Sequence, residues 1–496
     1  MKRFLLVFSI VSAAFGEVPG AIAIHNARIV PVSGPAIARG TVLVRNGLIE
    51  AAGANVNVPP DAWVIEGDGM TVYPGLIDAL STFGIPESAP ASVGQGRGFG
   101  NAPATPAAPT PQPVATAPAT PTARGPEDRP NTTSWVNAAD LIRTTDARLE
   151  SARSAGFTTA VTFPTRGIFA GQGAVIDLAG ERPGQMIVMG PSGQSAGQYL
   201  TLASSGFGGG YPGSLMGTIA YIRQIYLDAD HYRLAKQSYA TNARGVARPE
   251  YDRALEGVLG SPRILLPAAR RVDVDRMIRF AAELKQKAVL YGVTESYRSA
   301  DLFKKANATA LISLKWPEKA LDGDPENIEN MRALEVRDKA PSGPGLLAKS
   351  GVKFAFYSGG ISRRSDLFKA VKRAIDAGLS ADDALRAMTL SPAEIYGVAD
   401  KIGSIEPGKI ANLVVTKGDL FQDNTQVQYI FVDGVKFEPV PEPPQDSTRR
   451  PGPTGAERPV QDDMPVRTSP PPESVLPASP PPNGPPPPPS APPAGV

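Results

Sequence analysis

Histidine is nearly missing from this sequence and cysteine is missing outright: 496 residues carry two His, His25 and His231, and no Cys. No disulfide, thiol nucleophile or thioether lipid anchor can be built. A catalytic zinc centre needs about three His, Cys or carboxylate ligands from its chain, so a histidine-rich centre is excluded too. An excess of one charge is also lacking. Fifty Lys and Arg stand against 48 Asp and Glu, a net +2, which points to no nucleic acid or other polyanionic partner. The run FLLVFSIVSAAFG (4–16) follows Lys2-Arg3 and breaks into small residues at Ala14-Phe15-Gly16. That is the layout of a secretory signal, too short for a membrane span. The expectation is a signal peptide over 1–16 and a periplasmic or secreted mature chain starting near Glu17, without a lipid-bearing Cys.

Glycine and proline are abundant, at 50 and 52 residues, about a fifth of the chain, and belong largely outside a regular core. They concentrate in two places. PATPAAPTPQPVATAPATPTARGP lies within an insertion at 86–133, and a Pro-rich tail with a run of five Pro at 485–489 fills 441–496. Neither has an apolar period, so both are expected to be disordered or extended spacers.

Between them the chain has globular patterning. AIAIHNARIVPV and GTVLVRNGLIEAAG alternate apolar and polar residues around an Asn-Gly turn, the mark of β-hairpins. They predict a β-region over 17–75, and IGSIEPGKIANLVVTKG and VQYIFVDGVKF predict another over 402–440. Over 76–401 short apolar runs alternate with helical patterns. TTAVTF (158–163), GAVIDL (173–178), QMIVMG (185–190), RILLPA (263–268), KAVLYG (287–292), TALISL (309–314) and VKFAFYS (352–358) read as strands. The helical candidates are 138–156, 215–240, 273–286 and 365–378. Strand–helix alternation of this length predicts an α/β fold with a closed (β/α)8 barrel.

Three stretches carry a family resemblance. TVYPGLIDA (71–79), AGFTTAVTF (155–163) and AGLSADDALRAMTLSPAEIYGVADKIGSIEPGKIANLVVTKGDL (377–420) resemble the amidohydrolase superfamily, most of all its imidazolonepropionase-like and tandem-domain bacterial members. The resemblance covers about residues 21–437. It implies a TIM-like barrel flanked by a small composite β-sandwich from both chain ends, with one or two divalent metals at the strand C-termini. It also implies hydrolysis of C–N bonds by metal-bound hydroxide. Carried over position by position, the first-strand His pair falls on Leu80 and Thr82. The fifth-strand His falls on Pro267 and the sixth-strand His on Gly292. The eighth-strand Asp falls on Gly359, or Ser358 with a one-residue slip, and the bridging Lys on Asp177. Only Asp177 among these is a good metal ligand, so no metal cofactor is expected.

Other chemistry is thinly represented. Asp78 and Glu295 are carboxylates expected near strand ends, where they line a pocket or serve as plain hydrogen-bond acceptors. With Asp177 they are the candidate pocket carboxylates, and the catalytic residues stay unassigned. His25 sits in the first β-region. His231 sits in LDADHYRLAK on a helix, where Asp228 and Asp230 do not share one face. YSGGISRRS (357–365) and MGPSGQSAGQ (189–198) are not nucleophile elbows, and FGGGYPGS (207–214) lacks the Lys of a phosphate loop. Arg363-Arg364 is a solvated pair or an anion holder at a helix start. The expectation is a non-catalytic amidohydrolase-fold protein that binds a small molecule or partners an active paralogue or itself. The alternatives are a C–N hydrolase with a relocated or metal-free site, and an envelope spacer acting through its Pro-rich segments.

Overall fold

The structure, a computed structural model, describes residues 20–86, 129–188, 195–204, 211–319, 329–422 and 425–441. The expected signal peptide, most of the Pro-rich insertion and the tail from 442 lie outside the described residues. The described chain resumes at Arg129. Its guanidinium pairs with Asp252, and the Thr132 hydroxyl bonds the buried Tyr221 hydroxyl at 2.5 Å, so 129–133 belongs to the packed body rather than to the insertion.

The two chain ends build one eight-stranded sheet. Its strands are β1 (Ala21–Ile29), β2 (Ile37–Arg45), β3 (Leu48–Gly53), β4 (Ala62–Glu66) and β5 (Met70–Pro74) from the N-terminal side. Asn46 and Gly47 both take positive φ in the turn between β2 and β3, as a two-residue hairpin requires. From the far end, to be numbered after the central strands, come β15 (Leu413–Lys417), β16 (Gln426–Val432) and β17 (Val435–Phe437). β15 pairs antiparallel with β5, Leu413 opposite Pro74 and Lys417 opposite Met70. The composite origin expected from sequence is therefore present, as a single mixed sheet. Its own core holds Ile24, Ile29, Val42, Val72, Val415 and Phe431.

The chain leaves this sheet at Gly75. A Cβ there would stand 2.0 Å from Thr158 Oγ1, so only glycine passes. The central strands follow: β6 (Leu76–Ser81), β7 (Phe157–Thr162), β8 (Phe169–Gln172), β9 (Ala174–Asp177), β10 (Gln198–Leu200), β11 (Ile264–Pro267), β12 (Ala288–Tyr291), β13 (Thr309–Ser313) and β14 (Phe354–Tyr357). They form two arcs, β6-β7-β9 and β14-β13-β12-β11-β10-β8. β8 and β9 are one bent strand interrupted at Gly173, which carries the chain from one arc to the other. At the opposite seam β14 lies beside β6, and Ser358 N–H donates to Asp78 Oδ1 at 3.1 Å.

Among the described residues no single hydrogen-bonded ladder runs around both arcs, and two of the central strands do not run parallel to the rest, contrary to expectation. β9 is antiparallel to β7, and β8 is antiparallel to β10. The reason is length: six residues separate Thr162 from Phe169, whereas a parallel crossover needs a dozen or more. Two further expectations shift. The first two residues of QMIVMG (185–190) end a short helix, Pro183–Met186, Ile187 makes a lone bridge to Ile176, and 189–190 lie outside the described residues, while the helix expected over 138–156 is reduced to Ala138–Leu141 and Arg148–Ser154. The long helix Leu215–Thr241 and helices Arg271–Glu283 and Arg364–Asp376 form as expected. The outcome is a mixed α/β fold with helices packed outside the arcs.

Alternation along the strands divides their side chains. Leu76, Phe157, Ile176, Leu266, Leu290 and Phe356 face the helices. Ile77, Val161, Val175, Leu265, Val289 and Ala355 join a second cluster inside the arcs. Tyr396, from helix Leu390–Tyr396, reaches into that interior and donates its hydroxyl proton to Ala79 O at 2.7 Å.

Candidate functional site

Every central strand except the bent β8–β9 runs in one direction, so their C-terminal ends share one end of the fold, where Leu80, Thr82, Pro267, Gly292 and Gly359 lie. Leu80 packs on the interior apolar cluster with Tyr291 and Tyr357. Its N–H donates to Asp78 Oδ1 at 3.3 Å. Thr82 is bound by Arg148, whose Nη1 donates to Thr82 Oγ1 at 3.0 Å. Arg148 Nη2 donates to Thr82 O at 3.0 Å and to Ile85 O at 2.7 Å. Asp146 holds that guanidinium in turn, with contacts down to 2.8 Å. Sequence reasoning did not single out Arg148, because a lone Arg at a helix start carries no motif.

Pro267 ends β11 opposite Tyr291 and offers no side-chain donor atom. Gly292 has φ +75°, and Gly359 has φ +61°. A Cβ on Gly359 would stand 2.3 Å from Ser313 Oγ. The neighbouring Ser358 is buried and spends its N–H on Asp78. The interior beneath these positions is filled. Tyr199 and Tyr291 stack with ring centroids 4.9 Å apart, and Phe163 lies 5.6 Å from Tyr199. The Tyr291 hydroxyl donates to Leu200 O at 3.0 Å.

These residues do not fit a divalent metal. The five positions supply a single side-chain donor atom, the Thr82 hydroxyl, and Arg148 already holds it, whereas a zinc site takes at least three protein ligands. Among the described residues no group of three His, Cys, Asp or Glu is placed to hold a cation.

The three candidate carboxylates are not brought together. Asp78 is fully buried at the β6–β14 seam, and its Oδ2 has no hydrogen-bond partner among the described residues. Burial pushes its pKa up to about 6 against the opposing pull of the Ser358 and Leu80 bonds. Asp177 ends β9, which runs against the other strands, so it sits at the opposite end, level with Thr159 near the start of β7. It accepts from Thr159 Oγ1 at 2.9 Å and from Asn412 Nδ2 at 2.7 Å. Burial pushes its pKa up to about 7. The antiparallel strand is thus what keeps Asp177 away from the other carried-over positions. Glu295, also buried, follows β12. It accepts Arg271 N–H at 2.9 Å, closing the N-terminus of helix Arg271–Glu283, and the Arg332 fork at 2.7 and 3.2 Å. It floors an open cleft of about 890 Å³ lined by Arg271, Arg298, Arg332 and Glu335, whose charges pair with one another or with Asp301 and Glu295.

The remaining candidates fall elsewhere. His25 Nδ1 bonds Thr41 Oγ1 at 2.9 Å inside the large sheet, and His231 is exposed on the long helix. A direct check on the rebuilt backbone is available. Gly359→Asp should cost about 2 kcal/mol, since it forces a side chain into a left-handed position against Ser313. It should leave zinc affinity unchanged. Melting temperature with and without zinc reads both.

Comparison with known proteins bears on the same regions. The sequence model of the amidohydrolase family matches residues 278–436. The N-substituted formamide deformylase of Arthrobacter pascens is 29% identical over 180 residues, 34% of this chain and 32% of that protein. The chain therefore spans about a third of the length of that curated relative. The crystal structure of an amidohydrolase from Thermotoga maritima MSB8 superposes with a TM-score of 0.63 at 26% identity, covering 84% of this chain and all of the other.

Proposed function

The chain belongs to the amidohydrolase superfamily, and from that premise we propose that it is a non-catalytic member, a periplasmic or secreted subunit that binds a small molecule or pairs with an active paralogue. The family reaction is metal-dependent hydrolysis of C–N bonds, and it needs a centre that generates hydroxide near neutral pH. The observation that carries the proposal is the rebuilt strand-end layer. Where the family resemblance places ligands, the chain has an apolar Leu80, a Thr82 engaged by Arg148, and glycines at positive φ. At the last of these, Gly359, a Cβ would stand 2.3 Å from the Ser313 hydroxyl, which would have to move. Restoring one residue would not restore such a site. The periplasmic or secreted location rests on the signal-like run at 4–16 alone.

A rival reading keeps hydrolysis. It is favoured by the resemblance to a formamide deformylase and by Asp78, a carboxyl poised near neutrality, as a general base should be. One preparation tests both: the chain purified without chelator or a metal-affinity tag, with metal measured by plasma mass spectrometry and formate release measured on an N-substituted formamide. Metal well below one equivalent, unchanged by added zinc, with no formate is the expected result. Stoichiometric metal with turnover would overturn the non-catalytic reading in favour of its rival.

A further inference from the structure

We propose that helix Met331–Lys339 is a gate over the Glu295 cleft, held shut by ion pairs rather than by apolar packing and released by ionic strength. The helix starts for a local reason: the Asn330 side chain accepts the Ala333 N–H at 2.8 Å, the bond of an N-cap. Its attachment to the body is of another kind. None of its residues is buried, and Met331 and Leu334 are 80% and 41% exposed. Among the described residues, neither these two nor Val336 joins any of the apolar clusters. Helix Arg364–Asp376, by contrast, buries Leu367, Phe368, Ala370, Val371 and Ala374. A short helix draws most of its stability from such packing, so helix Met331–Lys339 needs a different hold.

Charge supplies it. Arg332 donates from Nε and Nη2 to Glu295 Oε1, at 3.2 and 2.7 Å. Glu335 accepts from Arg298. Positions 332 and 335 share one face of the helix, so both pairs tie that face to the turn that follows β12. Arg373 Nη2 adds a bond to Arg337 O at 3.3 Å. Directly after the helix the chain is anchored, since Ala340 and Pro341 are buried. That end is the pivot. Met331, Arg332 and Glu335 also form one wall of the cleft, so lifting the helix widens the cleft and bares Glu295. The carboxylate keeps the Arg271 N–H at 2.9 Å and takes water in place of Arg332. The Arg332 and Arg298 side chains are about half exposed. Salt screens such exposed pairs, whereas apolar packing is not weakened that way. The gate requires no catalytic role for Glu295, and it stands whether or not the chain is an enzyme.

Hydrogen–deuterium exchange on the full chain, read peptide by peptide in a mass spectrometer, tests it. Raising sodium chloride from about 20 mM to about 0.5 M is expected to speed exchange over 331–339 roughly three- to ten-fold and to leave 364–376 unchanged. Arg332→Met with Glu335→Gln should reach the fast rate at low salt and lose the response to salt. Native rates over 364–376 in that variant will show that the fold survives, as expected of a helix that gives nothing to the core. Exchange over 331–339 that ignores salt, a helix already unprotected at low salt, or a double variant that keeps the native rates would each overturn the proposal.

Discussion

Asn412→Ala is expected to lower stability by about 4 kcal/mol, the largest effect of any single substitution considered. Asn412 is the joint between the composite sheet and the central strands. Its Nδ2 donates to Asp177 Oδ1 at 2.7 Å and to Thr159 Oγ1 at 3.1 Å, and its Oδ1 accepts the Asp433 N–H at 2.8 Å. Its backbone carbonyl accepts Gly75 N–H where the chain crosses from sheet to arc. Alanine keeps the last bond and loses the others. The loss strands a backbone N–H and removes a donor from a buried carboxyl, and each unmet group costs about 1–3 kcal/mol. Urea unfolding followed by tryptophan fluorescence checks it, since Trp63 lies in the large sheet and Trp316 beside the arcs. A loss below about 1 kcal/mol would remove Asn412 from this role.

The second large effect is a fall in stability with rising pH, the reverse of ordinary acid denaturation. Asp78 and Asp177 have folded pKa values pushed up to about 6 and about 7 from an ordinary 3.8. A raised folded pKa means that the native state binds more protons than the unfolded state across that interval. The associated stability is present in full below the ordinary value and is lost as pH rises through the folded value. The window therefore opens near 3.8 and closes just above 7. At about 1.4 kcal/mol per unit, each group contributes roughly 3–4 kcal/mol across it. Asp78→Asn should remove its share of the slope. Its Oδ1 can still accept from Ser358 and Leu80, so stability above neutrality should rise or hold. Asp177→Asn should flatten the rest. Urea midpoints at several pH values for the three proteins supply the readout. A native midpoint that climbs steadily from acid to neutral pH would contradict the assignment.

Both effects depend on groups whose surroundings were not visible in the chain. Asp78 and Asp177 were legible as residues of interest, one closing an apolar run after Pro-Gly, the other ending GAVIDL. Their separation was not, because it follows from the direction of β9, and strand direction is set by pairing between distant segments. The short connection between Thr162 and Phe169 is the available signal, and the regular strand–helix alternation around it masks it. Strands of three or four residues, such as β8 and β10, have too few positions to show a period at all. Arg148 and Asn412 were likewise silent, since side chains that bond to distant backbone groups leave no local pattern.

The sequence by itself determined the β-forming segments at both chain ends, the order of most central strands, the principal helices and the scarcity of histidine. These rest on composition, on alternation with period 2 or 3.6, and on Gly and Pro placement, all local properties of the chain. Only the tertiary structure decided what surrounds the strand ends. Leu80 packs on the interior apolar cluster, Arg148 engages Thr82, and a Cβ on Gly359 would stand 2.3 Å from the Ser313 hydroxyl. It also separated the three carboxylates. Proximity between residues far apart in sequence is a product of packing, and burial sets the protonation of Asp78 and Asp177 through neighbours contributed by other strands.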